Sequence, residues 1–226
     1  MKTSILWTGV YMALICPAFA KAENYNKKGT EMQMEKLPDY VVLNNPEEKK
    51  ADVLRVPAQA LTFPLSEADQ ESVRILEAKF DQEENCAGLA APQIGIGKQI
   101  IVFAVPDDPK LKSWRSDLVQ TMPKTIWINP SYEPLDADHL HTDYEGCFSV
   151  QDLAGPVPRY TKVWYKAWTP DGLPVEGMAE GFLARVIQHE VDHLNGRCFV
   201  DLVPEGELLP VEEYRKRRQA AMEGMS

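Results

Sequence analysis

The chain has few of the residues that usually hold metals, four histidines and four cysteines among 226 residues, and no excess of positive charge. Against 24 lysines and arginines stand 34 aspartates and glutamates, a formal net charge of −10. That balance excludes direct nucleic-acid binding as a main role, because phosphate binding requires a basic face. The basic run, Arg215-Lys216-Arg217-Arg218, follows Glu212 and Glu213 in a helical pattern and reads as a solvated face of i,i+3 and i,i+4 pairs. Internal repeats, low-complexity tracts and a second domain are all missing. An apolar content of 44% suffices for one ordinary domain with an appendage.

Also missing is an apolar run long enough for a transmembrane helix. The stretch Ile5 to Ile15 is too short, but it follows Lys2 and precedes Ala18-Phe19-Ala20, the layout of a secretory signal peptide. Residues 1–20 are therefore expected to be a cleaved signal peptide, with the mature chain exported; a cytoplasmic protein is the alternative. Ile15 is too bulky for Cys16 to begin a lipoprotein, and the lack of arginine in the segment disfavours a transit peptide. Residues 21–40 are polar and aperiodic, as in a mobile leader, and 41–226 form the expected catalytic domain. Removal of the signal peptide leaves Cys86, Cys147 and Cys198, an odd number that cannot form a fully paired disulfide framework.

Within the domain, Ser66-Glu67-Ala68-Asp69 has the form of a capping box, followed by Val73, Leu76 and Phe80 at helical spacing. The spacing predicts a helix from Glu67 to Glu84 that ends before Gly88. Apolar and β-branched runs predict strands over 98–105, 125–129 (stopping at Pro130), 162–168 and 174–178. Residues 180–194 carry a helical period and stop at Asn195-Gly196. The fold class is α+β, one catalytic helix packed against antiparallel strands, with a C-terminal helix.

Two of the four histidines fall four residues apart in Gln188-His189-Glu190-Val191-Asp192-His193, an H-E-x-x-H run inside that helix. Positions i and i+4 share a helix face, so His189 and His193 can reach one ion while Glu190 stands beside a bound water as general base and then general acid. Asp192 points away from that face, toward a second layer or the surface. A third ligand is needed. Cys147, in Glu145-Gly146-Cys147-Phe148-Ser149, supplies a thiolate and leaves a tetrahedral position open for water, the mark of a catalytic site; its bland alternative is a small buried apolar residue. A zinc endopeptidase built on the same helix is the rival enzyme. Its extended motif fails at Phe199, which cannot ligate, so it would need Glu212 or Glu213 as ligand.

Gly88-Leu89-Ala90-Ala91-Pro92-Gln93, Glu145-Gly146-Cys147-Phe148-Ser149 and Gln188-His189-Glu190-Val191-Asp192-His193 resemble, in order, the three motifs of peptide deformylase, over a stretch from about Val41 to about Val203. The resemblance implies removal of the formyl group from N-terminal formyl-methionine of peptides or new chains. It implies Cys147, His189 and His193 as ligands of one divalent ion, Fe²⁺ in the family, while the donor set also suits Zn²⁺. It implies that the Gln93 amide and the Phe148 backbone N–H stabilise the oxyanion, and that main chain near Ala87, Gly88 and Gly146 pairs with substrate. Phe182 and Val186 share the His189 face and either line a methionine pocket or pack the core. Arg159 resembles a basic position of the family and receives no role. Cys86, Phe148, Gln151 and Asp152 depart from the usual motif edges, and export departs from the family's usual work on nascent chains. An exported relative that binds metal or peptide without turnover is the non-enzymatic alternative.

Overall fold

The computed structural model describes residues 36–223, with side chains to residue 220, so the proposed signal segment and most of the leader lie outside the described residues. Five antiparallel strands form the main sheet: β1 (Gly88–Ala90), β2 (Ile100–Val105), β3 (Met122–Pro134), β6 (Lys162–Trp168) and β7 (Pro174–Glu180), in the order β1-β2-β3-β6-β7. A second sheet joins β4 (Leu140–Cys147), β5 (Val150–Tyr160) and β8 (Leu209–Pro210). Helices α1 (Glu67–Gln82), α2 (Pro109–Trp114), α3 (Phe182–Leu194) and α4 (Val211–Glu223) complete the α+β fold.

Strand β2 shows why its sequence is apolar almost without interruption. Ile101 and Phe103 face one core with Phe182, Leu183 and Ile187 of α3, while Ile100 and Val102 face another with Leu76 and Phe80 of α1. Side chains alternate across a strand, so a strand covered on both faces needs apolar residues at every position. Helix α1 begins as expected, with the Ser66 hydroxyl accepting from the Asp69 N–H at 3.2 Å. It stops at Gln82, because Glu83 is extended and Asn85 has a positive φ.

Every residue of α3 is buried. A helix covered all round is normally apolar; this one buries Arg185, Gln188, His189, Glu190, Asp192 and His193. It starts at Gly181, whose φ is +62° and where a Cβ would stand 2.1 Å from the Asp117 carbonyl oxygen, so only glycine enters the helix here without strain.

Two strand expectations need correction. Strand β3 runs through Pro130 instead of stopping before it. The register with β6 shifts between Ile128 and Ser131, Asn129 takes φ +49°, and its side chain bonds both Leu61 backbone groups at 2.8 Å, so the proline sits at an irregularity where its missing N–H is tolerated. The β4–β5 hairpin was not anticipated. Gly146, Gly155, Pro156 and Pro158 make that stretch read as turns, yet Leu140↔Tyr160 through Glu145↔Gly155 pair in register. At Gly155 a Cβ would meet Val203 at 2.6 Å, so close packing explains that glycine.

Candidate metal centre

The β4–β5 hairpin presents Cys147 at its turn, and α3 presents His189 and His193 one turn apart. The three ligand atoms lie within 4.8 Å of one another, all buried. Among the described residues no other group of three such side chains meets this condition. The rings of His189 and His193 stand nearly edge to face, 5.0 Å between centroids. Cys147 Sγ lies 3.3 Å from His193 Nε2 and accepts from the Gln93 side-chain amide at 3.2 Å and the Ser149 N–H at 3.4 Å.

A divalent ion fits these residues. His189 Nδ1–H donates to Glu145 at 2.8 Å, which fixes the tautomer and leaves Nε2 as a lone-pair donor; that atom is buried and has no hydrogen-bond partner. Both carboxylate oxygens of Glu190 are likewise buried without a partner. Burial, reinforced by the neighbouring Glu145, lifts the Glu190 carboxyl to about 7, against the pull of His189 and Arg159. Space for this carboxylate comes from Gly88, where a Cβ would stand 2.4 Å from Glu190 Oε1.

Behind His189 lies a charged network that no spacing along the chain announces. Glu145 accepts from Arg159 at 2.9 Å twice and from Arg185 at 2.7 Å. Although burial opposes ionisation, Arg159 and the hydrogen bond from His189 hold the Glu145 carboxyl well below the usual range. Arg159 also pairs with Asp192, which in turn holds Arg197. The two places left open for Asp192 are thus decided: it is buried, one layer behind the ligands. Arg159, given no role from sequence, joins the hairpin to α3. Gln188 does the same from α3, bonding both backbone groups of Tyr160 at 3.0 and 2.9 Å. Among the described residues His193 has no carboxylate partner; its Nδ1 faces the buried Cys198 Sγ at 3.5 Å.

The other sequence candidates distribute as follows. Gln93 is fully buried, with its Oε1 accepting from the Ala90 N–H at 2.8 Å and one amide N–H on Cys147, so a second N–H remains to donate. Phe148 follows Cys147 in the hairpin turn. Ala87 and Gly88 lie at β1, an edge of the main sheet, and Gly146 lies in β4, an edge of the small one. Phe182 and Val186 are both in the main core, and the Arg115 guanidinium covers the Phe182 ring at 4.4 Å. Glu212 and Glu213 sit on α4, paired with Arg215 and Arg217 on a solvated face, and Phe199 is buried. Arg218 departs from that solvated face, reaching Asp143, the Tyr214 hydroxyl and the Trp114 carbonyl. Cys86, Cys147 and Cys198 are all free thiols.

The profile of the polypeptide deformylase family matches residues 39–207. Peptide deformylase 2 of Rickettsia conorii is 56% identical over 191 residues, 83% of this chain and 93% of the relative. Peptide deformylase 2 of Ralstonia nicotianae is 41% identical over 128 residues, 56% of this chain and 69% of the relative. The crystal structure of a class I type b peptide deformylase from Acinetobacter baumannii with Met-Ala-Ser bound aligns with a TM-score of 0.62 at 30% identity, covering 75% of this chain and all of that one. A peptide deformylase from Synechococcus elongatus in complex with actinonin aligns at 0.58 and 34% identity, covering 76% and 84%.

Proposed function

The chain belongs to the polypeptide deformylase family and is a hydrolase of that type, and on this premise we propose how its residues release formate from N-formyl-methionyl peptides. The observation that carries the reading is the Cys147, His189, His193 triad beside a buried, unpartnered Glu190. A divalent ion held by the triad supplies Lewis acidity and a water acidified toward neutral pH. Glu190 takes the proton from the attacking water and passes it to the leaving amine. Net, one water and one formamide bond give formate and a free N-terminus. The second N–H of Gln93 and the Phe148 backbone N–H donate to the oxyanion as it forms. The substrate's main chain pairs in strand fashion with the open edges near Ala87, Gly88 and Gly146. Phe182 and Val186 form the wall behind the substrate's methionine side chain.

We read the native ion as Fe²⁺ from the family resemblance; one thiolate and two imidazoles accept Zn²⁺ in the same geometry. The test is anaerobic purification with metal analysis, together with formate release from formyl-Met-Ala-Ser. Stoichiometric metal with no formate would overturn the reading.

We also place the mature protein outside the cytoplasm, with cleavage after residue 20 and a leader before the catalytic domain. Lys2, the apolar run Ile5 to Ile15 and Ala18-Phe19-Ala20 support it. N-terminal sequencing of fractionated cells checks this: the mature form should begin at or near Lys21. An intact Met1 on cytoplasmic protein would restore the family's ordinary location.

A further inference from the structure

The two oxyanion donors belong to different sheets. Gln93 lies on the 3-10 turn Ala91–Ile94 that follows β1, and Phe148 lies on the turn between β4 and β5. Helix α3 packs against the 3-10 turn and against β5. An irregular segment, Tyr40 to Asn44, which belongs to neither sheet, touches both loops. Its contacts alternate between the two loops. The Val41 N–H donates to the Gln93 carbonyl at 2.9 Å, and the Leu43 N–H donates to the Ser149 carbonyl at 2.8 Å. Asn44 closes a reciprocal pair with Gln151: its amide donates to the Gln151 carbonyl at 2.9 Å, and its Oδ1 accepts the Gln151 N–H at 3.0 Å. That pair uses an N–H that a proline at position 151 would lack. The Tyr40 ring stacks flat on Phe148, 4.6 Å between centroids and 6° between planes.

The side chains of the segment anchor it on both neighbours. Leu43 packs against the cluster of Cys147 and Val150 and also against that of Leu54 and Cys198. Val41 is buried beside Leu54. The Lys79 ammonium lies 4.3 Å from the centroid of the Tyr40 ring. Nothing in this segment belongs to the metal triad, and none of its side chains is hydrogen-bonded to Glu190. Its backbone and Asn44 instead fix the Gln93 carbonyl, the Ser149 carbonyl and the Gln151 peptide relative to one another.

We propose that Tyr40–Asn44 is a positioning strap, which holds the Gln93 loop and the Cys147–Ser149 turn at the spacing their two oxyanion donors require. The proposal rests on the deformylase reading above. Oxyanion donors act at a fixed point in space, and a misplacement of about 1 Å can cost about 100-fold in rate. A strap that sets the spacing therefore acts on kcat, while metal binding, which depends on Cys147, His189 and His193, is left alone. Tyr40 acts through its ring, which stacks on Phe148, and its hydroxyl makes no hydrogen bond to either loop.

The experiment uses the full chain loaded with its metal and compares wild type, Asn44→Ala, Tyr40→Ala, Tyr40→Phe, Gln93→Ala and the double variant Asn44→Ala/Gln93→Ala. Metal stoichiometry, thermal melting, and kcat and KM for formyl-Met-Ala-Ser are measured on each. Asn44→Ala and Tyr40→Ala should each lower kcat about tenfold at equal metal content, with KM within about twofold. Tyr40→Phe, which keeps the ring, should restore the rate to within about twofold of wild type. In the double variant the loss from Asn44→Ala should shrink, because a strap has less to position once the Gln93 donor is gone.

An active wild type whose Asn44→Ala and Tyr40→Ala variants keep kcat would overturn the strap and leave the deformylase reading intact. Losses that follow bound metal or folded fraction, or a fully additive double variant, would also overturn it. A wild type that carries metal and releases no formate would remove both readings together.

Discussion

Two glutamates lie within one small volume, both fully buried, and the chain treats them in opposite ways. Glu145 accepts hydrogen bonds from Arg159, Arg185 and His189, while Glu190 accepts none. Burial alone raises the pKa of both; partners reverse the shift at Glu145 and fail to do so at Glu190, which stands at about 7. The first is a fixed anion that orients a ligand. The second is kept uncommitted, with its charge available to the reaction. Identical side chains acquire different work from the donors around them, and those donors lie far away in sequence.

The largest effect should come from removing a ligand of the metal triad. Cys147→Ala should abolish stoichiometric metal binding and formate release together, because three ligands leave no redundancy; metal analysis of the purified variant decides it, and full occupancy would take the thiolate out of the site. Next in size, Glu190→Gln should keep the metal and lose about 10² to 10⁴-fold in rate, the range of a positioned acid–base group. Near-normal turnover there would erase the distinction between the two glutamates.

Glu145→Gln should do the reverse, harming the scaffold before the chemistry. It leaves Arg159 and Arg185 buried with less compensation, at a cost of about 3 to 5 kcal/mol, and weakens metal affinity by about 10 to 100-fold through His189. Denaturant melts and metal titration measure both, and a variant as stable as wild type would show the network to be incidental.

The smallest expected effect separates the two by pH in metal-stripped protein. Because the folded-state pKa of Glu190 is raised, its favourable contribution is complete below the unfolded value near 4.5 and is lost as pH rises through about 7. The stability of wild type relative to Glu190→Gln should therefore fall across that window, by about 3 kcal/mol. Glu145, whose pKa is lowered, has the opposite sign, contributing above its unfolded value and losing that contribution as pH falls. A wild-type curve parallel to that of the variant from pH 4.5 to 7 would contradict the raised value.

What the sequence made legible was local. The four-residue spacing of His189 and His193 is a property of one helix, and the capping box at Ser66 and the apolar run of β2 are likewise read within a few residues. Cys147 could be joined to the histidines because its segment, Glu145 to Ser149, resembles the second of three family motifs found in order. The charged layer behind them was hidden for the converse reason. Glu145 meets Arg159 across 14 residues, Arg185 across 40 and His189 across 44, and no periodicity records such pairings. The hairpin that brings Glu145 there was hidden too, since its prolines and glycines imitate a turn.

These separations bear on how the enzyme is made. Cys147 and His193 lie 46 positions apart, with β5, β6 and β7 between them, and Arg218 near the end of α4 reaches back 75 positions to Asp143 on the hairpin strand β4. Distant contacts form late because the intervening loop must close first. A chain still on the ribosome therefore presents a thiol and no chelate, and the ion can enter only after His193 has emerged and α3 has docked. Metal capture becomes a report that translation has run past the last ligand, and cells starved of the ion should accumulate complete but unloaded copies rather than truncated ones.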